Sequence, residues 1–387
     1  MQDISIIGVG MTPVGEHWES SIRQIGQEAI ELALKDAGLE LSDIDALVIG
    51  NALSTSFNRQ SHLAALIADY AGLRGVEALR VEAADASGGL ALRQGMLLVA
   101  SGMARHVLVL GVEKVTDVVG SGRNAALASI LDADYESAHG ATPTAMAGIL
   151  MRRYIHEYGV DLGNFEGFSI NAHANGSKNP LAMYRNIIKP GKFVSAPIVA
   201  PPVNLFDSAP EGDGACALIL TATERARDLV PAPIRIVGSA VATDTFALHD
   251  RKDPLFLQAA NLAAGRAYEQ AGIRPHDVQV LELHDSYTVL SALQLEAIGF
   301  AKRGEGWKPA VEGKLSLTGE LPISTFGGLK ARGNPLGATG VYQAAEIALQ
   351  LRDQAGDNQV SGARIGMALN LGGLGSTAVA HILERVE

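Results

Sequence analysis

The chain has 387 residues, 47% hydrophobic and 19% charged, enough for two domains with large cores and inconsistent with a disordered protein. Its formal net charge of −11, with no compensating Lys/Arg run, argues against generic nucleic-acid binding. A single cysteine, Cys216, excludes an intrachain disulfide and a Cys-based zinc site.

In chain order, Met1 to Ile7 reads as the start of a strand with no basic leader region, and no apolar run approaches the roughly 18–20 residues of a membrane span; a cytoplasmic protein is expected. The strand Ile4–Val9 is followed by a helical pattern from Ile25 to Lys35, a stop at Gly38, and the strand Ala46–Ile49. The order returns later: strand Ile234–Val237, helix Leu262–Glu269, stop at Gly272, strand Val280–Leu283. Asp36-Ala37-Gly38-Leu39 and Gln270-Ala271-Gly272-Ile273 occupy equivalent places in the two passes. Each pass then carries a Gly-rich turn feeding a helix, Ala86-Ser87-Gly88-Gly89 and Gly337-Ala338-Thr339-Gly340. Each closes on a strand, Val107–Leu110 and Ile365–Leu369. Alternating strands and helices give an α/β layered fold, and the doubling gives two similar halves, 1–232 and 233–387. Residues of about 118–200 interrupt the first half with few long apolar runs and read as an inserted loop domain, which either shapes a binding site or covers a dimer face. Gly8-Val9-Gly10 lacks the third glycine of a dinucleotide fingerprint, Pro13 standing in its place, so no such site is expected. His139 and His156 show no metal-ligand spacing with carboxylates, and no metal is expected.

Six blocks, in order, resemble the thiolase superfamily, particularly its archaeal and sterol-carrier-protein-type members. They are Val81 to Gly89, Gly111 to Asp117, Asp213 to Ala217, His284-Asp285-Ser286-Tyr287, Gly327 to Gly340, and Gly372-Gly373-Leu374-Gly375. The resemblance spans nearly the whole chain. It implies a five-layer α-β-α-β-α fold, a homodimer, and action on CoA thioesters, with coenzyme A as substrate carrier and no permanently bound cofactor. Some such relatives work with a small OB-fold/zinc-ribbon partner that admits the acyl-CoA. Thioester contacts are implied for Ser87, Gly88, Gly328, Gly333 and Gly373.

The catalytic set departs from the family. Where a thiolase carries its cysteine stands Asp85, and where its Gly-His-Pro histidine would take the thiol proton stands Asn334. A carboxylate attacks thioesters poorly, and Asn is no general base near neutral pH. Asp85 is either a general base in a partly buried site or a helix cap. His284 is either a donor to the thioester oxygen, as the resemblance implies, or a core histidine. Asn334 either anchors a water or carbonyl or holds the turn before Pro335. Asp285 is expected to brace its loop, Tyr287 and Tyr342 to pack, and Gly333, Gly337 and Gly340 to serve backbone geometry and close approach to a ligand. His173 and Asn175 either line a pantetheine route or sit in solvated loop. Lys178, Arg185 and Lys189 either meet CoA phosphates or are scattered surface charge.

Three functions follow. The first is aldol or retro-aldol chemistry on an acyl-CoA without a covalent intermediate, as in cysteine-less aldolases related to thiolases. The second is a non-catalytic binding subunit. The third is acyl transfer despite the missing thiol.

Overall fold

The computed structural model describes residues 2–386. The first half runs β1 (Ile4–Met11), α1 (Ile22–Ala37), β2 (Ala46–Gly50), α2 (Ser54–Asn58), α3 (Leu63–Ala71), β3 (Glu77–Val81), α4 (Ser87–Ala100) and β4 (Val107–Glu113). An excursion follows, with α5 (Gly120–Ala128), α6 (Pro143–Tyr158), α7 (Glu166–Gly176) and a small hairpin of β5 (Ile198–Ala200) and β6 (Val203–Asn204). The half then closes with β7 (Gly214–Ala222) and α8 (Thr223–Leu229). In the second half come β8 (Ile234–Thr243), α9 (Gln258–Ala271), β9 (Val280–Glu282), α10 (Thr288–Ala297), α11 (Lys308–Val311), α12 (Gly328–Ala331), α13 (Thr339–Leu351), β10 (Ile365–Gly372) and β11 (Thr377–Arg385).

The repeat read in the sequence is a repeat of topology. The first half-sheet has the order β3-β2-β4-β7-β1 and the second β8-β11-β10-β9. Counted outward from β1 and from β8, both begin antiparallel and end parallel. A parallel bridge from Leu281 to Ile323 stands where β3 stands in the first half. The half-sheets join through three residue pairs of β1 and β8, Ile4–Ile236, Ser5–Arg235 and Ile6–Ile234. Between them lie α4 and α13, each packed against strands of both halves. Outside lie α1 and α3 on the first half-sheet and α9 on the second, which completes the five α-β-α-β-α layers.

Local chemistry sets these elements. In α1 the buried residues Ile22, Ile25, Ala29, Ile30, Ala33 and Ala37 recur at helical spacing and face the sheet. Its first turn is closed by Gln24, whose side chain accepts from the Ser21 N–H at 2.8 Å. Gly38 and Gly272 end α1 and α9 in the left-handed region, at φ 65° and 68°, as their sequence positions predict. Gly8 and Gly10 are there for packing: a Cβ on Gly10 would lie 2.2 Å from the Ala29 carbonyl oxygen of α1. Gly238 of β8 repeats the arrangement, its Cβ position lying 2.4 Å from the Ala267 carbonyl oxygen of α9. In both halves a strand glycine thus lets a helix backbone touch the sheet.

The excursion holds three helices, of 9, 16 and 11 residues, between its loops. Its apolar residues are spread along helix faces instead of collected in runs: Met146, Ala147, Leu150, Met151 and Tyr154 of α6 are all buried. His173 and Asn175 belong to α7 and are buried, so the solvated loop does not describe them, and neither lines the cavity described below. His173 Nδ1 lies 3.0 Å from the Asn186 carbonyl oxygen, and Asn175 Nδ2 donates to the carbonyls of Ile323 and Ser324. Lys178, Arg185 and Lys189 are exposed.

Gly10→Ala and Gly238→Ala are each expected to destabilise the fold by about 1–3 kcal/mol or more, because backbone and not a mobile side chain occupies the space. Urea unfolding midpoints at constant m would show it, and unchanged midpoints would contradict the close packing.

Candidate active site

The nucleophile-position turn leaves β3, passes Ala84 at φ 50°, and enters α4. A non-glycine residue in the left-handed region at this point forces the chain to reverse sharply and thrust Asp85 out of the turn. Ser87 holds the turn from inside: its Oγ accepts from the Ala83 N–H at 2.9 Å and donates to the Ala84 carbonyl at 2.5 Å. Ala86, and not Asp85, is the N-cap of α4, and no side chain caps the helix there. The cap reading of Asp85 is therefore corrected; its carboxyl points elsewhere.

It points into a cavity of about 270 Å³. Asp85, Asn334, Glu211, Ser286, Tyr287 and Gly373 form its polar wall, with Asn124, Thr142 and Thr144 beside them. Leu127, Ile130, Pro143, Val199, Leu336 and Leu374 supply the apolar remainder. Asp85 is only 6% exposed. Burial pushes its carboxyl up from 3.8 to about 6, and the neighbouring Glu211 charge adds to the rise. Asn334, the Asp85 backbone and the Gly373 N–H act the other way, favouring the carboxylate without overcoming burial. Asn334 Nδ2 reaches Asp85 Oδ1 at a long 3.5 Å, and Thr339 Oγ1 donates to Asn334 Oδ1 at 2.8 Å, which aims the amide's N–H side at Asp85. The Asn334 backbone is fixed as well, its N–H donating to Pro210 and its carbonyl accepting from Gly212. Asn334 thus holds its turn and presents a donor to the carboxylate at once.

His284 sits behind this wall, 1% exposed. Gln294 pairs with its backbone on both sides, accepting from the N–H at 3.0 Å and donating to the carbonyl at 2.9 Å. Burial, reinforced by the Arg332 charge, lowers the imidazole to about 3, so the ring is neutral at working pH. Asp285 braces its loop as expected, accepting from the Leu329 N–H at 2.7 Å and from Ser324 Oγ at 3.2 Å. Tyr287 does more than pack: it lines the cavity, and its hydroxyl lies 3.0 Å from Thr144 Oγ1 of α6. Tyr342 is a core residue, its hydroxyl donating to the carbonyls of Thr12 and Ala215.

Of the residues expected at the thioester, Gly373 is on the cavity wall. Ser87, Gly88, Gly328 and Gly333 lie behind it, filled in by protein: Cβ positions on Gly88, Gly328 and Gly333 would meet Val341, Asp285 and Val14 at 2.8, 2.4 and 2.6 Å. Gly337 and Gly340 likewise meet the backbones of Ala52 and Gly89, so their close approach is to protein and not to a ligand. Glu211, paired with Arg123 of α5, went unnoticed in the sequence because nothing in its neighbourhood marks it. Glu113 was also missed; buried, it accepts from the N–H groups of Ala52, Leu53 and Gly337, and ties the first half to the Asn334 turn. Cys216 is fully buried in β7 with its thiol pushed well up by burial, and takes no part. Among the described residues no three His, Cys, Asp or Glu side chains gather as a metal site, and no helix is long and apolar enough to cross a membrane.

Comparison with known proteins agrees with this layout. The family model described as Thiolase, N-terminal domain matches residues 4–195, and that described as Thiolase C-terminal domain-like matches 240–385. The chain is 42% identical to the acetyl-CoA acetyltransferase of Methanothermobacter thermautotrophicus over the full length of both. It is 40% identical to the protein of that name from Methanocaldococcus jannaschii, over 99% of each chain. A solved structure titled Ltp2-ChsH2(DUF35) aldolase superposes with a TM-score of 0.85 at 26% identity, over 99% of this chain and 98% of that one.

Because the fold raises the Asp85 pKa, it holds the neutral acid better than the unfolded chain does. That contribution is full below pH about 4 and is lost as pH rises through about 6. Asp85→Asn should therefore be more stable than the parent at pH 8, by at most ~3 kcal/mol, and about equal to it at pH 3.5. Denaturant titrations at the two pH values would show the difference; equal stability at both would mean that Asp85 is not desolvated.

Proposed function

The chain belongs to the thiolase family, and we propose that it makes or breaks a carbon–carbon bond in an acyl-CoA by aldol chemistry, with no covalent acyl intermediate. One observation carries this reading. The reactive position holds a buried carboxyl whose pKa of about 6 suits proton transfer near neutral pH, and holds no thiol.

In the cleavage direction, the Asp85 carboxylate takes the proton of a β-hydroxyl. The oxygen electrons form the new carbonyl, the bond between the α and β carbons breaks, and its electron pair becomes the thioester enolate. Protonated Asp85 returns the same proton to the α-carbon, so atoms and charges balance and no free CoA is consumed. His284, neutral across the working range and set just behind the polar wall, is the N–H donor proposed to reach the enolate oxygen from there, where charge develops. Asn334 steadies the carboxylate between the two transfers. The paired Tyr287 and Thr144 hydroxyls, on the same polar wall as Asp85, are the groups proposed to meet the β-substituent.

The relatives named acetyl-CoA acetyltransferase favour acyl transfer as the second reading. It meets the difficulty that the single cysteine lies fully buried in β7, away from the cavity. The similar aldolase supports the first reading and carries DUF35 in its title; a small OB-fold/zinc-ribbon partner that brings the acyl-CoA to this chain is part of the proposal. Ile149, Ile198, Val199 and Leu205 are exposed, Val199 also lines the cavity, and together they are the surface proposed for such a partner. A homodimer is proposed on the family likeness.

A panel of β-hydroxyacyl-CoAs tests the reading. Cleavage to a carbonyl compound is expected without added CoA, with kcat/KM rising through pH about 6. Asp85→Asn should lose about 100-fold or more. Thiolysis that requires free CoA, or an acyl adduct in the protein mass spectrum, would restore ordinary thiolase chemistry.

A further inference from the structure

The buried contact between Asn370 and His284 sets which nitrogen of the histidine carries its proton. Asn370 lies near the end of β10, two residues before the Gly372-Gly373 turn. Its Oδ1 accepts from the Gly89 N–H of α4 at 3.2 Å. A backbone N–H can only donate, so this contact fixes the orientation of the amide. Nδ2 is thereby turned to His284 Nδ1, 3.3 Å away. An amide nitrogen also can only donate, so Nδ1 must accept, and in a neutral imidazole the proton then sits on Nε2.

We propose that Asn370 is a positioning residue that locks His284 as the Nε2–H tautomer and thereby makes it a donor to the substrate oxygen. The catalytic half of this statement rests on the reading of His284 given above; the tautomer itself does not. The surroundings are built for the lock. Asn370 is 1% exposed. It fits only because two helices present glycine to it: a Cβ on Gly340 of α13 would lie 2.2 Å from its Oδ1, and one on Gly89 3.1 Å. Gly89 is held from its other side too, its carbonyl 2.9 Å from His381 Nε2 of β11. The amide therefore cannot rotate without losing the Gly89 bond and placing two donors against each other, which leaves a buried N–H unpaired. Nothing else among the described residues hydrogen-bonds to the His284 ring, so no protein group takes up Nε2. Burial and the Arg332 charge keep the ring neutral, so a single tautomer is meaningful at working pH.

Asn370→Asp is the discriminating change. It keeps the shape and the acceptor for Gly89, but an ionised carboxylate facing Nδ1 can only accept, so the proton must move to Nδ1. Nitrogen-15 NMR of protein labelled at histidine, recorded from pH 6 to 9, reads the tautomer, with His284→Gln assigning the signal. The expected result is Nε2–H in the parent over the whole range and Nδ1–H in Asn370→Asp at pH 9. Nδ1–H in the parent, or no movement in the variant at pH 9, overturns the lock whatever the substrate proves to be. Turnover of a β-hydroxyacyl-CoA by Asn370→Asp should fall about 100-fold in kcat with KM within a few-fold. A moved proton with unchanged kcat would overturn the catalytic half while leaving the tautomer assignment standing.

Discussion

Two helix N-termini crossing at glycine contact distance decide where Asp85, Asn334 and His284 sit. A Cβ on Gly88 would lie 2.8 Å from the Val341 amide, and one on Gly340 2.2 Å from the Gly89 amide. α4 begins just after Asp85, and α13 just after the Asn334 turn, so closing this crossing brings the two side chains together from positions 249 residues apart. Asn370 reaches into the same crossing and extends it to His284. Glu113 holds the turn ahead of α13 from the first half. The pseudo-symmetric packing of the halves is thus the device that assembles the site, and each half contributes one turn.

At a helix N-terminus a thiol and a carboxyl respond differently to burial. A thiolate there gains from the N–H groups and the dipole, and is nucleophilic once formed. The Asp85 carboxyl turns away from the α4 N–H groups into the cavity, loses more by leaving water than Asn334 and the Gly373 N–H return, and ends with a raised pKa. On the proposed function, the same turn that would activate a nucleophile instead presents a proton carrier. Loss of the Gly-His-Pro histidine fits the change, because a carboxylic acid that ionises near pH 6 needs no base beside it. What replaces the histidine is a hydrogen-bond donor, held by Thr339, that favours the ionised form.

Much of this was legible in the sequence because the signals were local. Gly38 and Gly272 end their helices where read, and the topology repeats as the two passes predicted. Asp85 and Asn334 could be placed as partners by family order alone. Long-range geometry was not legible. Asn370 and Glu211 carry no local mark, and Tyr287 reads as packing until Thr144 of the excursion arrives beside it. The helices of the excursion were hidden because amphipathic faces need no apolar runs. Gly8 and Gly10 were excluded as a dinucleotide fingerprint by Pro13, but their use, the approach of α1, is a role that only the packing shows.

The central claim, that Asp85 moves a proton at the α-carbon of a bound thioester, is tested most directly by solvent exchange. Acetyl-CoA or propionyl-CoA would be incubated with the protein in D₂O, with substrate and protein masses followed together. The account predicts deuterium at the α-carbon, an unmodified protein mass, and no exchange above background with Asp85→Asn. Exchange that survives Asp85→Asn, or an acyl group on the protein, would contradict it.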